Sequence, residues 1–363
     1  MFSGSYRQQD VCFLLKPINI VPVTNLEEKE FLIQTGQRHY SEMISPESLP
    51  DNRYMALFHN AVDVNGERMA HDCLQLASLI ATDIAGEVAL VSLARAGTPV
   101  GVIVKHLIEQ VFDRTCTHYS VSIIRDRGID FEALDFIRRK HVDQSIVFVD
   151  GWTGKGVIAQ ELKQSIAAYN LSRDAMVSSA LYVLSDLCGF AHRSATVEDY
   201  LIPSAILNAT ISGLISRSIL NDQIEPGDFH GCVYHKEFLK NDLSVWFAQK
   251  LITLALTGCP PKLPVNATDC SLQRLASMDT SRKYLAFAML RYQISDINFI
   301  KPGIGEATRV LLRRIPKLLI IRDKSLPDVS HLLRLAEEKH VSVEEDPTLP
   351  YKAVSLIRSA VDG

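Results

Sequence analysis

A buried-strand pattern followed directly by a glycine-rich turn, in residues 145–157, constrains the fold more than any other stretch. Residues 146–149 are four consecutive β-branched or aromatic residues, typical of a strand buried on both faces of a parallel sheet. Asp150 ends this run, and the glycines after it let the backbone present its N–H groups to an anion: Gly151, Gly154 and Gly156. Residues 157–163 have helical spacing, so the turn opens a helix whose N-terminus favours negative charge. The stretch predicts a phosphate-binding cradle, to which Thr153 adds a hydroxyl donor.

Spacing separates the kinds of turn that this stretch can form. A P-loop is excluded, because only Trp152 and Thr153 separate the first glycine from the Gly-Lys pair. A dinucleotide-binding fingerprint is partly met by residues 154–159, although Asp150 and three further residues precede its first glycine. A turn without a ligand is another alternative. The order strand, acid, short loop, Thr-Gly, helix resembles the 5-phosphoribosyl-1-diphosphate (PRPP) loop of type I phosphoribosyltransferases, with Gly151 in place of their second acid.

Composition describes an ordinary globular protein. The 363 residues suggest about two domains, with 47% hydrophobic and 22% charged residues. No apolar run approaches the roughly 18 residues that a membrane span needs. The N-terminus has no apolar signal core, so we expect a cytoplasmic protein. The odd number of widely spaced cysteines, without a C-x-x-C pair, predicts reduced thiols: Cys12, Cys73, Cys116, Cys188, Cys232, Cys259 and Cys270.

Strand-like and helix-like patterns alternate through the centre of the chain. The predicted strands are 88–94, 119–124, 146–150 and 176–185, and the predicted helices are 67–84, 100–112, 131–139 and 157–169. This order predicts an α/β fold with a parallel sheet, right-handed crossovers and a ligand site at the carboxyl ends of the strands. Residues 1–62 carry little sheet signal except at 11–15, and we expect them to form an irregular hood over that site, with a surface-packed arm as the alternative.

The loops after the first two predicted strands carry arginines. Arg95, Ala96 and Gly97 resemble the pyrophosphate loop of phosphoribosyltransferases, in which an arginine fork binds the diphosphate. Arg125 and Arg127 resemble the flexible loop that closes over PRPP and stabilises the departing diphosphate. Surface salt bridges and solvated loop charges are the alternative interpretations of these arginines.

Two further groups of residues are candidate functional groups. Polar residues lie among apolar ones in 199–208 and are candidate contacts for an acceptor substrate: Asp199, Tyr200, Ser204 and Asn208. His230, Cys232 and His235 lie close together in the chain, so a Cys–His nucleophile is an alternative.

A separate C-terminal module follows a predicted linker at 259–280. Its pattern predicts a helix at 304–314, a strand at 318–322, a helix at 329–340 and a strand at 341–344. Between Arg309 and Lys324 there are six basic residues and one acidic residue, a stripe suited to a phosphate backbone, with a solvated helix face as the alternative interpretation. Residues 303–309 and 332–339 resemble the Pelota-type RNA-binding domain of the kink-turn-binding ribosomal protein superfamily. The resemblance implies that five residues bind RNA: Gly303, Gly305, Glu306, Arg309 and Arg313. At one of these positions, Gly305, that superfamily has Asn.

The chain as a whole resembles a bacterial family from tellurite-resistance stress operons, through the stretches HYSEM, LARAG, DGWTGKG, DYLIPS and KPGIGEATR. Members of this family also carry the label of a cysteine protease StiP precursor. The resemblance implies a hood at 1–62, a phosphoribosyltransferase-like core at 63–258, the linker and a Pelota-like domain at 281–363.

The implied reaction transfers phosphoribose from PRPP and Mg²⁺ to a base-like acceptor, and RNA contacts the tail. The catalytic group would be Asp150, Arg125 and Arg127, and the PRPP-binding group would be Arg95, Ala96, Gly97, Asp150, Gly151, Thr153, Gly154, Lys155 and Gly156. The alternatives are a PRPP or nucleotide sensor that regulates RNA, a cysteine peptidase and a nicotinamide-binding enzyme. We also expect a homo-oligomer without a membrane partner.

Overall fold

A computed structural model describes residues 2–258, 267–314 and 316–358, without the side chains of residues 26, 30, 34, 267–271 and 313. Its helices are α1 (Leu26–Gln34), α2 (Asn52–Asp83), α3 (Thr98–Phe112), α4 (Phe131–Arg138), α5 (Val157–Arg173), α6 (Ser244–Thr257), α7 (Ala267–Arg291), α8 (Ile304–Arg313) and α9 (Ser330–Glu338). Its strands are β1 (Cys12–Leu14), β2 (Lys16–Pro17), β3 (Val88–Ala94), β4 (Cys116–Ile124), β5 (Gly128–Ile129), β6 (Ile146–Thr153), β7 (Leu181–Asp186), β8 (Arg193–Thr196), β9 (Gly231–Cys232), β10 (Ile300–Pro302), β11 (Pro316–Ile321), β12 (Val343–Glu345) and β13 (Ala353–Ile357).

The main sheet is mostly parallel, which confirms the predicted α/β fold. Its strands lie in the order β1-β4-β3-β6-β7-β8, all paired in parallel, and β5 pairs antiparallel to β4. The edge strand β1 comes from the predicted hood, where the apolar run at 11–15 lies. A separate short pair joins β2 to β9 in parallel.

Helices cover both faces of this sheet, so its central strands are apolar throughout. Leu90 of β3 belongs to the apolar cluster that contains α2, α3 and α6 side chains. Val91, the next residue, points to the other face and packs with α4 and α5 side chains. Both residues are fully buried, as expected for a strand covered on both faces.

Several helices and strands begin at other residues than the sequence predicts. Helix α2 begins fifteen residues early inside the predicted hood, because the Asp51 carboxylate caps it by accepting from Tyr54 N at 2.8 Å. Strand β7 begins only at Leu181, and Met176 is 77% exposed. Part of the predicted linker is helical, since α7 begins at Ala267, and residues 259–266 lie outside the described residues.

The C-terminal module has a four-stranded sheet in the order β10-β13-β11-β12, with α8 and α9 packed against each other. It packs directly on the main domain: Ile304 and Leu311 of α8 belong to the same apolar cluster as Leu184 of β7 and Tyr200. Among the described residues, no helix combines the length and apolar character that crossing a membrane requires.

Candidate functional site

The carboxyl ends of β3, β4, β6 and β7 form one edge of the main sheet, hereafter the sheet edge, and most predicted site residues lie there. Strand β6 extends to Thr153, three residues beyond the prediction, because Trp152 pairs with Ser185 and Thr153 pairs with Asp186 of β7. Gly151, Trp152 and Thr153 are therefore strand residues rather than loop residues. The glycine turn is restricted to residues 154–156.

The glycine turn is covered by the C-terminal module. A Cβ built on Gly154 would lie 3.5 Å from Pro302 O. The Lys155 ammonium donates to Ile297 O at 2.8 Å, and burial, followed by repulsion from Lys301, lowers its pKa to about 7. Gly156 has a φ of 76°, and an added Cβ would overlap the ring of Phe190. The turn thus contacts protein at each of its three positions.

Asp150 lies beneath the same cover. Its Oδ1 accepts from Gly151 N at 2.8 Å. Burial raises the pKa of the Asp150 carboxyl to about 7, partly offset by the positive charge of Arg309 and reinforced by Glu306. Burial therefore favours the protonated form of this carboxyl more than water does.

The loop after β3 places Arg95 at the sheet edge beside β6. Its guanidinium donates to Asn208 Oδ1 at 2.7 Å and to Ile215 O at 3.3 Å, and it lies 3.4 Å from the Glu47 carboxylate. Gly97 is tightly packed, since an added Cβ would lie 2.8 Å from Val149 O. Burial lowers the pKa of Arg95.

Ser204 and Asn208 are brought together with Arg95, Ala96 and Arg309 around one small cavity of about 20 Å³, room for about one water. Ser204 is 8% exposed, and its hydroxyl has no hydrogen-bond partner in the described part of the chain.

Asp199 and Tyr200 lie at a second cavity of about 10 Å³ on the other side of Trp152. Tyr200 donates to Asp72 Oδ2 at 2.8 Å, and its ring lies 4.0 Å beneath the Arg68 guanidinium. Asp199 accepts from two backbone N–H groups of the C-terminal module. The polar groups of both residues are thus engaged by protein.

Arg125 and Arg127 contact the N-terminal segment. Arg125 N donates to the Tyr40 hydroxyl at 2.8 Å, and the Arg125 guanidinium lies 5.3 Å from the centre of the Tyr40 ring. Arg127 forms an ion pair with Glu42 at 2.8 Å. Both arginines are therefore engaged by protein groups, and Arg125 also lies near enough to Lys155 of the glycine turn to contribute to its lowered pKa.

The turn that resembles an RNA-binding site, residues 303–309, faces the sheet edge. Gly303 has a φ of 94°, and an added Cβ there would lie 2.7 Å from a Leu187 methyl group. Glu306 pairs with Arg309 at 3.3 Å, and the Arg309 guanidinium lies 6.0 Å from the centre of the Trp152 ring. The side chain of the fifth predicted RNA contact, Arg313, lies outside the described residues. The two predicted binding sites thus meet face to face.

Five thiols are described, and all are buried: Cys12, Cys73, Cys116, Cys188 and Cys232. The side chains of Cys259 and Cys270 lie outside the described residues. In the part of the chain that the structure describes, no hydrogen bond joins a thiol to a histidine ring. Burial raises the pKa of Cys232 to about 12.

The two histidines near Cys232 have other partners. His230 Nδ1 lies 2.8 Å from the Ser122 hydroxyl, and its backbone N–H donates to Asp130 Oδ2 at 2.6 Å. His235 Nδ1 lies 2.9 Å from Glu237 Oε1. The closeness of these residues in sequence therefore does not produce a Cys–His pair.

Cys188 lies at the sheet edge and was not among the predicted site residues. Its thiol donates to the Thr153 hydroxyl at 3.2 Å and lies 3.9 Å from Asp186 Oδ1. Burial, with the negative charge of Asp186, raises the pKa of Cys188 to about 12. Its position directly after β7 is the sequence signal that points to it, because functional loops follow the strands of an open parallel sheet.

Among the described residues, no group of three or more His, Cys, Asp or Glu side chains is arranged to hold a metal ion. Mg²⁺ was predicted to bind through PRPP and not through protein side chains, so the arrangement of these side chains does not test it. Mg²⁺ binding therefore stays a prediction.

The architecture defines a parallel α/β protein that carries a small C-terminal α/β domain. The sequence model of the Pelota RNA-binding domain matches residues 279–359. The sequence model described as tellurite-like stress resistance cysteine protease StiP matches residues 4–252. The chain therefore belongs to the StiP family.

A curated relative supports the same family. The cysteine protease StiP of Acinetobacter baylyi (strain ATCC 33305 / BD413 / ADP1) is 42% identical over 373 aligned residues, which cover 100% of this chain and 96% of the relative. The predicted phosphoribosyltransferase function, with its transferase and PRPP description, is therefore wrong, because the family and the relative bear the name of a cysteine protease. The cysteine peptidase alternative agrees better with these relatives.

Solved structures resemble the chain only weakly. A hypoxanthine phosphoribosyltransferase from Staphylococcus aureus is 9% identical, with a TM-score of 0.25, over 37% of this chain and 77% of that chain. The Trypanosoma cruzi enzyme, as a K68R mutant complexed with IMP, is 12% identical, with a TM-score of 0.29, over 53% of this chain and 94% of that chain. TM-scores this low support no argument about function.

Proposed function

We propose that the chain is a thiol-dependent peptidase and that Cys188 is its nucleophile. The observation that carries this proposal is the 42% identity, over the full chain, to a relative named cysteine protease StiP. Cys188 is the described thiol that follows a strand at the sheet edge, where open parallel sheets carry their ligand sites. Cys116 begins β4 and thus lies at the opposite edge.

The chemistry is acyl transfer through a thioester. The Cys188 sulfur attacks the carbonyl carbon of the scissile peptide bond, the C–N bond breaks, and the amine leaves with the thiol proton. Water then hydrolyses the thioester, which releases the new carboxyl group and restores the thiol. A pKa of about 12 keeps Cys188 protonated at neutral pH in the structure described, so this thiol is unreactive while it stays buried.

Cleavage of fluorescently labelled casein tests the proposal. Cleavage is measured with and without iodoacetamide, for the wild type and for Asp199→Ala. This variant lacks the carboxylate that accepts from Ile304 N and Lys352 N of the C-terminal domain. We expect iodoacetamide-sensitive cleavage that Cys188→Ala abolishes and that the control Cys116→Ala keeps. Thiol-dependent cleavage that survives Cys188→Ala would move the nucleophile elsewhere. Absence of such cleavage in both wild type and Asp199→Ala would refute the peptidase.

RNA binding by the C-terminal domain is a second proposed function, which the match to the Pelota RNA-binding domain favours. Filter binding of a labelled RNA stem–loop should weaken linearly, on logarithmic axes, as salt concentration rises. Arg309→Ala should reduce that slope by about one, the loss of one phosphate contact. Arg334→Ala, which removes an exposed arginine of α9 paired with Glu338, is the matched control. An affinity that does not change with salt, or a slope that Arg309→Ala leaves unchanged, would refute this function.

A further inference from the structure

The N-terminus of α8 already holds a carboxylate from the main domain. Asp199 Oδ1 accepts from Ile304 N at 2.8 Å, and Asp199 Oδ2 accepts from Lys352 N at 2.9 Å. Asp199 is 7% exposed, so these contacts are shielded from water. The free N–H groups at a helix N-terminus are suited to a phosphate, and a carboxylate presents the same paired oxygens.

The surface around this contact is the one that the Pelota resemblance assigns to RNA. Gly303 packs against Leu187, and Arg309 lies over Trp152. An RNA strand cannot reach the backbone of residues 303–305 while the sheet edge lies against it.

We propose that Asp199 occupies the position of an RNA phosphate, so that RNA and the sheet edge compete for the N-terminus of α8. RNA binding then separates the C-terminal domain from the sheet edge and uncovers Cys188, because its chain neighbour Leu187 packs against Gly303 and Cys188 itself lies near Tyr351 of that domain. This inference rests on the proposed RNA-binding function and adds its regulation: the domain contact is autoinhibitory, and RNA relieves it.

The charges at the contact explain why the competitor is a polyanion. Lys301 contributes to the lowered pKa of Lys155, Arg309 contributes to the lowered pKa of Lys301, and all three cations lie near the Glu306 carboxylate. Opening the contact exposes this basic cluster together with the helix N-terminus. A nucleic-acid backbone supplies the several negative charges that both features attract.

A disulfide between the two domains tests the competition. A Cβ built on Gly305 would lie 3.7 Å from the Cβ of Ala205, within the usual range of about 3.5–4.5 Å for a disulfide. The Gly305→Cys, Ala205→Cys double variant should therefore form a lock when oxidised. The two cysteines whose side chains are not described are replaced first, by Cys259→Ser and Cys270→Ser.

RNA affinity is compared in the oxidised and reduced forms of this one protein, with a fluorescein-labelled RNA stem–loop as the probe. We expect the oxidised form to bind about 5- to 150-fold more weakly, the usual range of coupling between two sites. Asp199→Ala should bind more tightly than the wild type. The single Gly305→Cys variant, treated in the same way, should not respond to oxidation.

Alkylation of Cys188 by iodoacetamide, located by peptide mass spectrometry, is the second readout. RNA should accelerate it in the reduced form and not in the locked form. Equal RNA affinity in the oxidised and reduced forms would overturn this inference and leave the RNA-binding proposal intact. Absence of RNA binding in the reduced form and in Asp199→Ala would overturn both. Equal acceleration by polyglutamate would also overturn the assignment to RNA.

Discussion

Replacing Lys155 with methionine tests whether the domain contact disfavours the charged form of a buried lysine. The Lys155 ammonium donates to Ile297 O at 2.8 Å, and its pKa is lowered from 10.5 to about 7, first by burial and then by Lys301. Methionine has a similar length and no charge, so Lys155→Met removes the titration while largely filling the same space.

The magnitude follows from proton linkage. Between pH 7 and 10.5 the unfolded chain keeps a proton on Lys155 that the folded chain has lost. The unfolded state then binds one more proton, so the free energy of unfolding rises with pH, by at most about 1.4 kcal/mol per pH unit. This contribution is complete above pH 10.5 and is lost as pH falls through about 7. Since the methionine variant lacks it, the wild type should gain up to about 2.7 kcal/mol relative to the variant over about two pH units.

Urea unfolding, followed by tryptophan fluorescence, measures this difference at several pH values between neutral and moderately alkaline. Trp152 lies in the contact itself, next to Arg309, and therefore reports its opening. Lys163→Met, at an exposed position of the same helix α5, is the matched control and should give a difference that does not change with pH. A pH-independent difference between wild type and Lys155→Met would refute the reasoning.

Three further substitutions test other parts of the site. Asp150→Asn should show the opposite trend in urea unfolding. The raised pKa of Asp150 contributes stability to the wild type that is complete below pH 3.8 and is lost as pH rises through about 7. The variant lacks this contribution, so it should gain stability relative to the wild type across that pH range. Gly156→Ala should lower thermal stability by about 1–3 kcal/mol more than Gly86→Ala does. Both glycines have positive φ, but only at Gly156 would an added Cβ overlap the Phe190 ring. Equal losses of stability in the two variants would contradict this. Tyr200→Phe should cost about 1–3 kcal/mol in urea unfolding, because the buried carboxylate on α2 loses its donor, and an unchanged midpoint would contradict this.

The parallel core was predictable because its signals are local. Strand β3 was predicted at its observed bounds, since a run of apolar residues ends at the small residues around Gly97. Helix α8 was predicted to begin at Ile304, where it does begin, directly after a glycine with positive φ. Each of these boundaries depends on residues within a few positions of it.

The covering of the site by the C-terminal domain was not predictable from the sequence, because the contacts that cover it join distant parts of the chain. Asp199 and Ile304 are 105 positions apart, and Lys155 and Ile297 are 142 apart. The phosphate-cradle interpretation treated Gly156 as a point of close approach to a ligand, whereas the structure explains this glycine by its positive φ and the Phe190 ring. A spacing pattern cannot distinguish a glycine required by a ligand from one required by a neighbouring side chain. Anion binding by this turn stays a prediction.

The polar groups at the domain contact determine what can open it. Ile304 N, Lys352 N and the Lys155 ammonium each bond to an oxygen of the opposite domain, so separating the domains leaves two donors and a cation that need new acceptors. Water satisfies the two donors and hydrates Lys155, which regains its full positive charge because it is no longer buried. Since all three groups require oxygen acceptors and the surrounding cluster is basic, a ligand with several anionic oxygens replaces the lost contacts more completely than water or an apolar partner. We therefore expect any ligand that opens the contact to carry several anionic oxygens.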